Sequence, residues 1–445
     1  MAFIHDQSCE CTLSQLDLFT IPATQTSVLA GTWTEFYPVA SLNSDTAPLE
    51  FNINGSDEYI DLSNTMLQLK VKITKADGSN LDAGEEVGPV NAFLHSLFSQ
   101  VDVTLNGRLV SQSSSLYGYR AYLESLLNYG KDAQESQLTA GLFYKDTNGK
   151  LDVTNPYANA PLSNLGLRKR SQMSAESKVI DMTGPLHVDV CFQGKYLLNN
   201  VDLKFKLHRA KSSFCLMSSV QDANYKVKIV GASILMRRVT LNPTISLAHA
   251  KAIEIGTAKY PVSRVELKSF TIPQGDLSVT KEGLFTGQLP KRLVIGLTRN
   301  DAFNGSYLRN PYHFQHFNLN KCGLFVDGQP LPFRALTPKF NADGGEEYVQ
   351  NFQTLYSGLN KLFKDFGGVI DRTGYGAGYS ILAFDLTPDL MGNGTHFQLR
   401  KNGSIRLELG FADALPETVN VVVYAEFENI IEIDRSRNVL YDYSS

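Results

Sequence analysis

The chain has 445 residues, with 41 Lys and Arg against 45 Asp and Glu, a net charge of −4 and 43% hydrophobic residues. Such a composition supplies apolar material for a sizeable core and excludes both a disordered chain and a strongly basic genome condenser. Phe and Tyr number 25 and 20 against one Trp, and the 34 glycines favour strands and tight turns over helical bundles.

No apolar stretch approaches the roughly 18 to 20 residues of a membrane helix, so no membrane span is expected. The start, Met1 to Asp6, lacks the basic and apolar regions of a secretory signal, so a cytosolic or nuclear protein that is not secreted is expected. Cys9, Cys11, Cys191, Cys215 and Cys322 follow no framework spacing and are expected as reduced thiols.

Residues 1–47 contain Pro22, Pro38 and many Ser and Thr, and read as an extended arm. Cys9, Cys11 and His5 lie within it, but no second pair of ligands follows at zinc-site spacing, so no metal is expected there. Beyond the arm, apolar and polar residues alternate at Leu67–Ile73, Val101–Leu105, Leu186–Val190, Val201–Leu207 and Tyr225–Ile229. Each run predicts an antiparallel strand with one buried face. Between them Leu116, Tyr119, Leu123, Leu126 and Leu127 form a helical stripe, with Ser113 to Ser115 as N-caps and Gly130 as the closing left-handed residue. The basic runs Arg168-Lys169-Arg170 and Arg237-Arg238 read as solvated loops or strand ends, so strong direct nucleic-acid binding is not expected.

Residues 242–260 form a connector able to carry a short helix over Ile245–Ile255. After it, strands are predicted around Val265 and Leu293–Leu297. His313 and His316, set among aromatic residues, read as packed histidines. A second helical stripe joins Tyr348, Phe352, Leu355, Leu359, Leu362 and Phe363, interrupted by Gly358. The run Gly374–Tyr379 precedes a strand instead of opening a helix, which argues against a phosphate cradle. Strands follow at Ile381–Leu386, Ile405–Leu409 and Val419–Ile433. Asn-Gly at Asn54, Asn106, Asn148, Asn304, Asn393 and Asn402, and Asp-Gly at Asp77, Asp327 and Asp343, supply positive φ for tight turns.

The order of events in the first half recurs in the second: a hairpin at Asn106-Gly107 or Asp327-Gly328, then a helix, then strands. This internal duplication predicts an all-β protein of two tandem jelly-roll β-sandwiches with short inserted helices. The divisions are an arm over 1–47, a first jelly roll over 48–241, the connector 242–260, a second jelly roll over 261–435 and a tail over 436–445. No nucleophile elbow, zinc-protease motif or phosphate loop occurs, so neither enzyme activity nor a cofactor is expected.

Several runs, in one order, resemble the major capsid proteins of Polinton (Maverick) elements and adintoviruses. They include Phe3-Ile4-His5-Asp6, Ser14 to Phe19, Pro22 to Ser27, Pro48-Leu49-Glu50-Phe51 and Glu58 to Leu62. In the second half they are Ala383 to Asp389, Val423 to Asn429 and Ile431 to Asp434, and the resemblance extends to Tyr441-Asp442-Tyr443. The resemblance implies a structural major capsid protein with two jelly rolls per chain. Homotrimers would form pseudo-hexameric capsomers of an icosahedral virion shell around double-stranded DNA, in contact with penton and minor capsid proteins. On this reading the arm makes assembly contacts through Phe19, Pro22, Gln25 and Thr26. The alternative is a cellular two-domain β-sandwich protein that binds or hydrolyses glycans, with Tyr375 and Tyr379 as stacking aromatics.

Overall fold

A computed structural model describes residues 4–42, 46–111, 114–340, 345–365 and 367–441. In the first half the strands are β1 (Val28–Phe36), β2 (Leu49–Ile53), β3 (Tyr59–Lys75), β4 (Val87–Pro89), β5 (Phe98–Leu105), β6 (Arg108–Leu109), β7 (Ile180–Pro185), β8 (Leu203–Arg209), β9 (Leu216–Ser218) and β10 (Tyr225–Leu241). The second half holds β11 (Ala258–Ile272), β12 (Ser278–Lys281), β13 (Thr286–Gln288), β14 (Arg292–Arg299), β15 (Leu319–Val326), β16 (Gln329–Leu336), β17 (Ile381–Asp385), β18 (Asn402–Phe411), β19 (Val419–Ile433) and β20 (Val439–Leu440).

The sheets run β1-β10-β3-β7 with β2-β8-β5-β6, and β11-β19-β14-β17 with β12-β18-β15-β16; β13 and β20 add to β18 and β19, and β4 pairs β9 separately. Setting those short strands aside and counting from the first strand of each unit, both units follow 1-8-3-6 against 2-7-4-5. The chain is therefore a jelly roll twice over, in one topology. The long insertion falls between the fifth and sixth strands in both units, and each insertion contains a helix, Tyr117–Leu127 and Val349–Gly358.

The alternation explains the strands. In β3, Leu67, Leu69, Val71 and Ile73 are buried, opposite Ile234, Ala232, Ile229 and Val227 of β10. Asn106 and Gly107 both take positive φ in the β5–β6 hairpin, and Asp327 and Gly328 do so in the matching β15–β16 hairpin. Gly78, Gly149 and Gly305 are also left-handed, whereas Gly55, Gly394 and Gly403 are not, and Asp343 lies outside the described residues.

Several expectations are corrected. The arm loses Val28–Phe36, which forms the first strand of the first sandwich through pairing with β10. Only Val28, Thr34 and Phe36 at its two ends are half-buried and the middle is exposed, so it carries too little alternation by which to find it. Leu186–Val190 is not a strand: β7 ends at Pro185, and Asp189–Phe192 forms a 3-10 turn that delivers Asp189 to Arg120. Gly130 has φ −80° and precedes the next short helix, Lys131–Glu135, instead of closing the one before. Ser113 lies outside the described residues, and the N-cap of the Tyr117–Leu127 helix is Leu116, without a side-chain hydrogen bond. The second helix ends at Gly358 and Phe363 is exposed; Gly358 itself packs so closely on β17 that a Cβ would lie 2.4 Å from the Ala383 backbone. Arg168-Lys169-Arg170 belongs to a helix, Leu165–Ser174, whose cap Asn164 accepts from Leu167 N. The connector carries the helix Pro243–Ile255.

Candidate assembly surface

Every described arm residue from Ile4 to Ser27 is exposed. The four expected contact residues fall into two groups. Gln25 folds over the start of β1, its Nε2 donating to Val28 O and its Oε1 accepting from Val28 N. Thr26 O accepts from Asn242 Nδ2, and Ser27 O accepts from Asn242 N. Gln25 and Thr26 thus root the arm on the body, beside the connector helix, whereas Phe19 and Pro22 stand in solvent, Phe19 at 95% exposure.

Next to the root lies an apolar belt. β1 is an edge strand without Lys, Arg or Pro, the residues that ordinarily guard such edges, and it exposes Leu29 and Trp33. The helix Pro243–Ile255 buries none of its residues and presents Leu247 and Ile255 to solvent. Its cap is complete, with Asn242 Oδ1 accepting from Thr244 N and proline in the first turn, so the helix is locally well specified.

The basic runs do not contribute free charge to this surface. Arg237 pairs with Asp61, and Arg238 reaches Ser56 and Glu58 while lying over the Phe36 ring. Arg170, read from sequence as solvated, is fully buried, bonded to Asp146 Oδ1 at 2.7 Å and to the Pro89 carbonyl. A buried carboxylate is what brings it in.

Carboxylates do converge, at a place the sequence does not disclose. Arg120 Nε lies 3.0 Å from Glu124 Oε1 and Nη2 lies 2.7 Å from Asp189 Oδ1. His187 Nδ1 is 2.6 Å from Glu124 Oε2. From the second unit, Tyr424 Oη donates to Glu426 Oε1 at 2.7 Å and stands 3.2 Å from Glu124 Oε1, while Arg292 neutralises Glu426 and Val265 N donates to Asp189. Burial opposes ionisation of Glu124, but Arg120 and His187 outweigh it and hold the carboxyl down at about 2. For Asp189 burial prevails over Arg120 and raises the carboxyl. The cavity touching Tyr117, Arg120 and His187 is about 20 Å³, room for one water and not for a substrate. The cluster is a polar seam between the two sandwiches.

Further contacts join the units. Tyr122 stacks on Tyr312 with centroids 4.0 Å apart, Asn310 Nδ2 donates to Asp146, and Lys361 Nζ donates to Leu127 O. Tyr375 and Tyr379 are buried, and Tyr379 donates to Asp146 O, so they offer no stacking platform to a glycan; the Gly-rich run folds into the core as the short helix Arg372–Gly376. His313 pairs with Asp152, and His316 stacks on Phe340, its pKa lowered to about 4 by burial and by His313. Among the described residues no three potential metal ligands cluster.

One signal was present in the sequence but hidden by the overall sum. Residues 1–69 contain nine Asp and Glu and no Lys or Arg; the rest of the chain therefore holds 41 basic residues against 36 of its 45 acidic ones. The arm and first strands are acidic, and the remainder carries the compensating positive charge.

The fold defines a double jelly-roll protein. Over 100% of its length the chain superposes on a chain of the Sputnik virophage structure determined by cryo-EM, covering 95% of it with a TM-score of 0.64 and 12% identity. It matches the PBCV-1 virus capsid model with a TM-score of 0.57 and 11% identity, over 96% of this chain and 100% of that one. For the mavirus major capsid protein the values are 0.54 and 12%, over 99% and 97%. These neighbours are viral double jelly-roll capsid proteins, and at such identities the likeness is one of fold. In sequence, the chain is 27% identical over 438 residues to an uncharacterized protein of Caenorhabditis elegans, covering 95% of this chain and 99% of that one. No protein-family model matches the chain.

Proposed function

We propose that the chain is a major capsid protein of the Polinton and adintovirus kind, whose activity is self-association. Three copies form a trimer with six similar sandwiches, so a three-fold object fills a site with six neighbours. Trimers then build an icosahedral shell around double-stranded DNA, with penton and minor capsid proteins completing it. The observation that carries this reading is the repetition of one jelly-roll topology within the chain, along its whole length, as in the capsid structures it superposes on. The exposed belt of β1 and the connector helix, together with the arm, supplies the apolar surface that association requires. The test is light scattering and negative-stain microscopy of the purified chain of 49.2 kDa. Trimers with a six-sided outline, or closed particles, are expected; a monodisperse monomer at high concentration would overturn the reading.

A further inference from the structure

After bends at Thr395 and His396, residues 397–401 lead into β18 but belong to no strand. Among the described residues the peptide groups of Phe397 and Leu399 make no hydrogen bond, and Arg400 and Lys401 form no ion pair. Phe397 and Leu399, two residues apart, are 51% and 88% exposed, while the intervening Gln398 turns to Asp389 and Glu428. The segment borders a cleft of about 420 Å³ whose floor includes Leu289, Pro290 and Leu386. An open strand edge with apolar side chains at period two and free cations at its end is a template for an incoming strand.

The arm has the matching pattern. Phe19 and Ile21 are two residues apart and exposed, Asp17 precedes them, and no cation occurs in the arm. Asp17 holds the hydroxyl of its neighbour Thr20 and no cation. Resting on the reading of the chain as a shell subunit, we propose that the arm of one copy docks on a second copy as an added strand along 397–401. An antiparallel register sets Phe19 opposite Leu399 and Ile21 opposite Phe397, and brings Asp17 to the side chain of Lys401, where the open edge ends because Leu289 N already donates to Lys401 O. Pro22, which cannot donate to a ladder, ends the pairing. Both partners are exposed within one chain, so the chain's own arm does not occupy its own cleft. Charge complementarity selects the occupant: the acidic arm is drawn to Arg400 and Lys401, and a second copy brings such an arm at the concentration of the assembly itself.

The test places a photoreactive benzoyl-phenylalanine at Phe19 of the full chain, in an equal mixture of light- and heavy-isotope copies. Mass spectrometry of the irradiated oligomers should find light-to-heavy adducts on the peptide containing 397–401. Lys401→Glu should lower their yield about fivefold, the weight of one exposed ion pair, and Asp17→Lys in the same chain should restore it. Intact oligomers with adducts elsewhere, or only within one chain, overturn the docking site and leave the shell reading standing. Absence of both oligomers and adducts overturns the two together.

Discussion

Replacing Arg120 by Met tests whether the polar seam holds the two sandwiches together. Arg120 is buried between Glu124 and Asp189, so Met removes the cation and leaves two buried carboxylates. Breaking a buried pair from one side costs about 3–5 kcal/mol; His187 offsets part of this at Glu124, and Asp189 keeps only the Val265 N–H. In the native protein, lowering the Glu124 carboxyl from 4.5 to about 2 contributes ~3 kcal/mol. That stability is present above the unfolded value and is lost as pH falls from about 5 towards 2. Without Arg120 the sign reverses: the buried carboxyls titrate above their unfolded values, so the variant loses stability as pH rises above about 4.5. Urea unfolding at pH 7, 6 and 5 should therefore show a gap between native protein and variant that is widest at pH 7 and narrows on acidification. A variant within about 1 kcal/mol of the native protein, with a constant gap across pH, would refute the argument.

Other measurements address separate parts of the molecule. His95 is buried against His187 and the Tyr117 hydroxyl and held well below the ordinary imidazole value by burial first and His187 second. Its stabilising contribution is present above pH 6.5 and lost below it, so His95→Gln should flatten the melting temperature between pH 6.5 and 5. Deleting residues 1–27 should leave the melting temperature unchanged while reducing particle yield, whereas deleting 1–47 removes β1, bares the edge of β10 and should cause aggregation, read by light scattering. Gly358→Ala should destabilise by about 1–3 kcal/mol in denaturant titration, because the clash with the Ala383 backbone exceeds the gain in helix propensity.

What was legible in the sequence was whatever repeats at short range. Period-two alternation located β3, β5, β8 and β10, and Asn106-Gly107 and Asp327-Gly328 located the matching hairpins because only positive φ closes two-residue turns there. β1 escaped because its middle is exposed and only Val28, Thr34 and Phe36 are half-buried, too few to display a pattern. Leu186–Val190 misled because its alternation serves a turn that aims Asp189 at Arg120, a partner 69 positions away. The arm's attachment was only half legible: Gln25 bonds Val28 three residues on, but the partner of Thr26, Asn242, is 216 positions away. The seam of Arg120, Glu124, Asp189 and Tyr424 was invisible for the same reason, since its members become neighbours only when the two units close on each other.

The contacts between the units also decide where an assembly of such chains can bend. Among the described residues, stacked tyrosines, a buried ion cluster and the Lys361 bond to Leu127 tie the two sandwiches to each other. If such chains build a shell as proposed, units joined in this way leave its curvature to the joints between chains, where the exposed β1 edge, the connector helix and the arm lie. Shell diameter would then be set by how the joints are made, and the subunit itself could serve shells of more than one size.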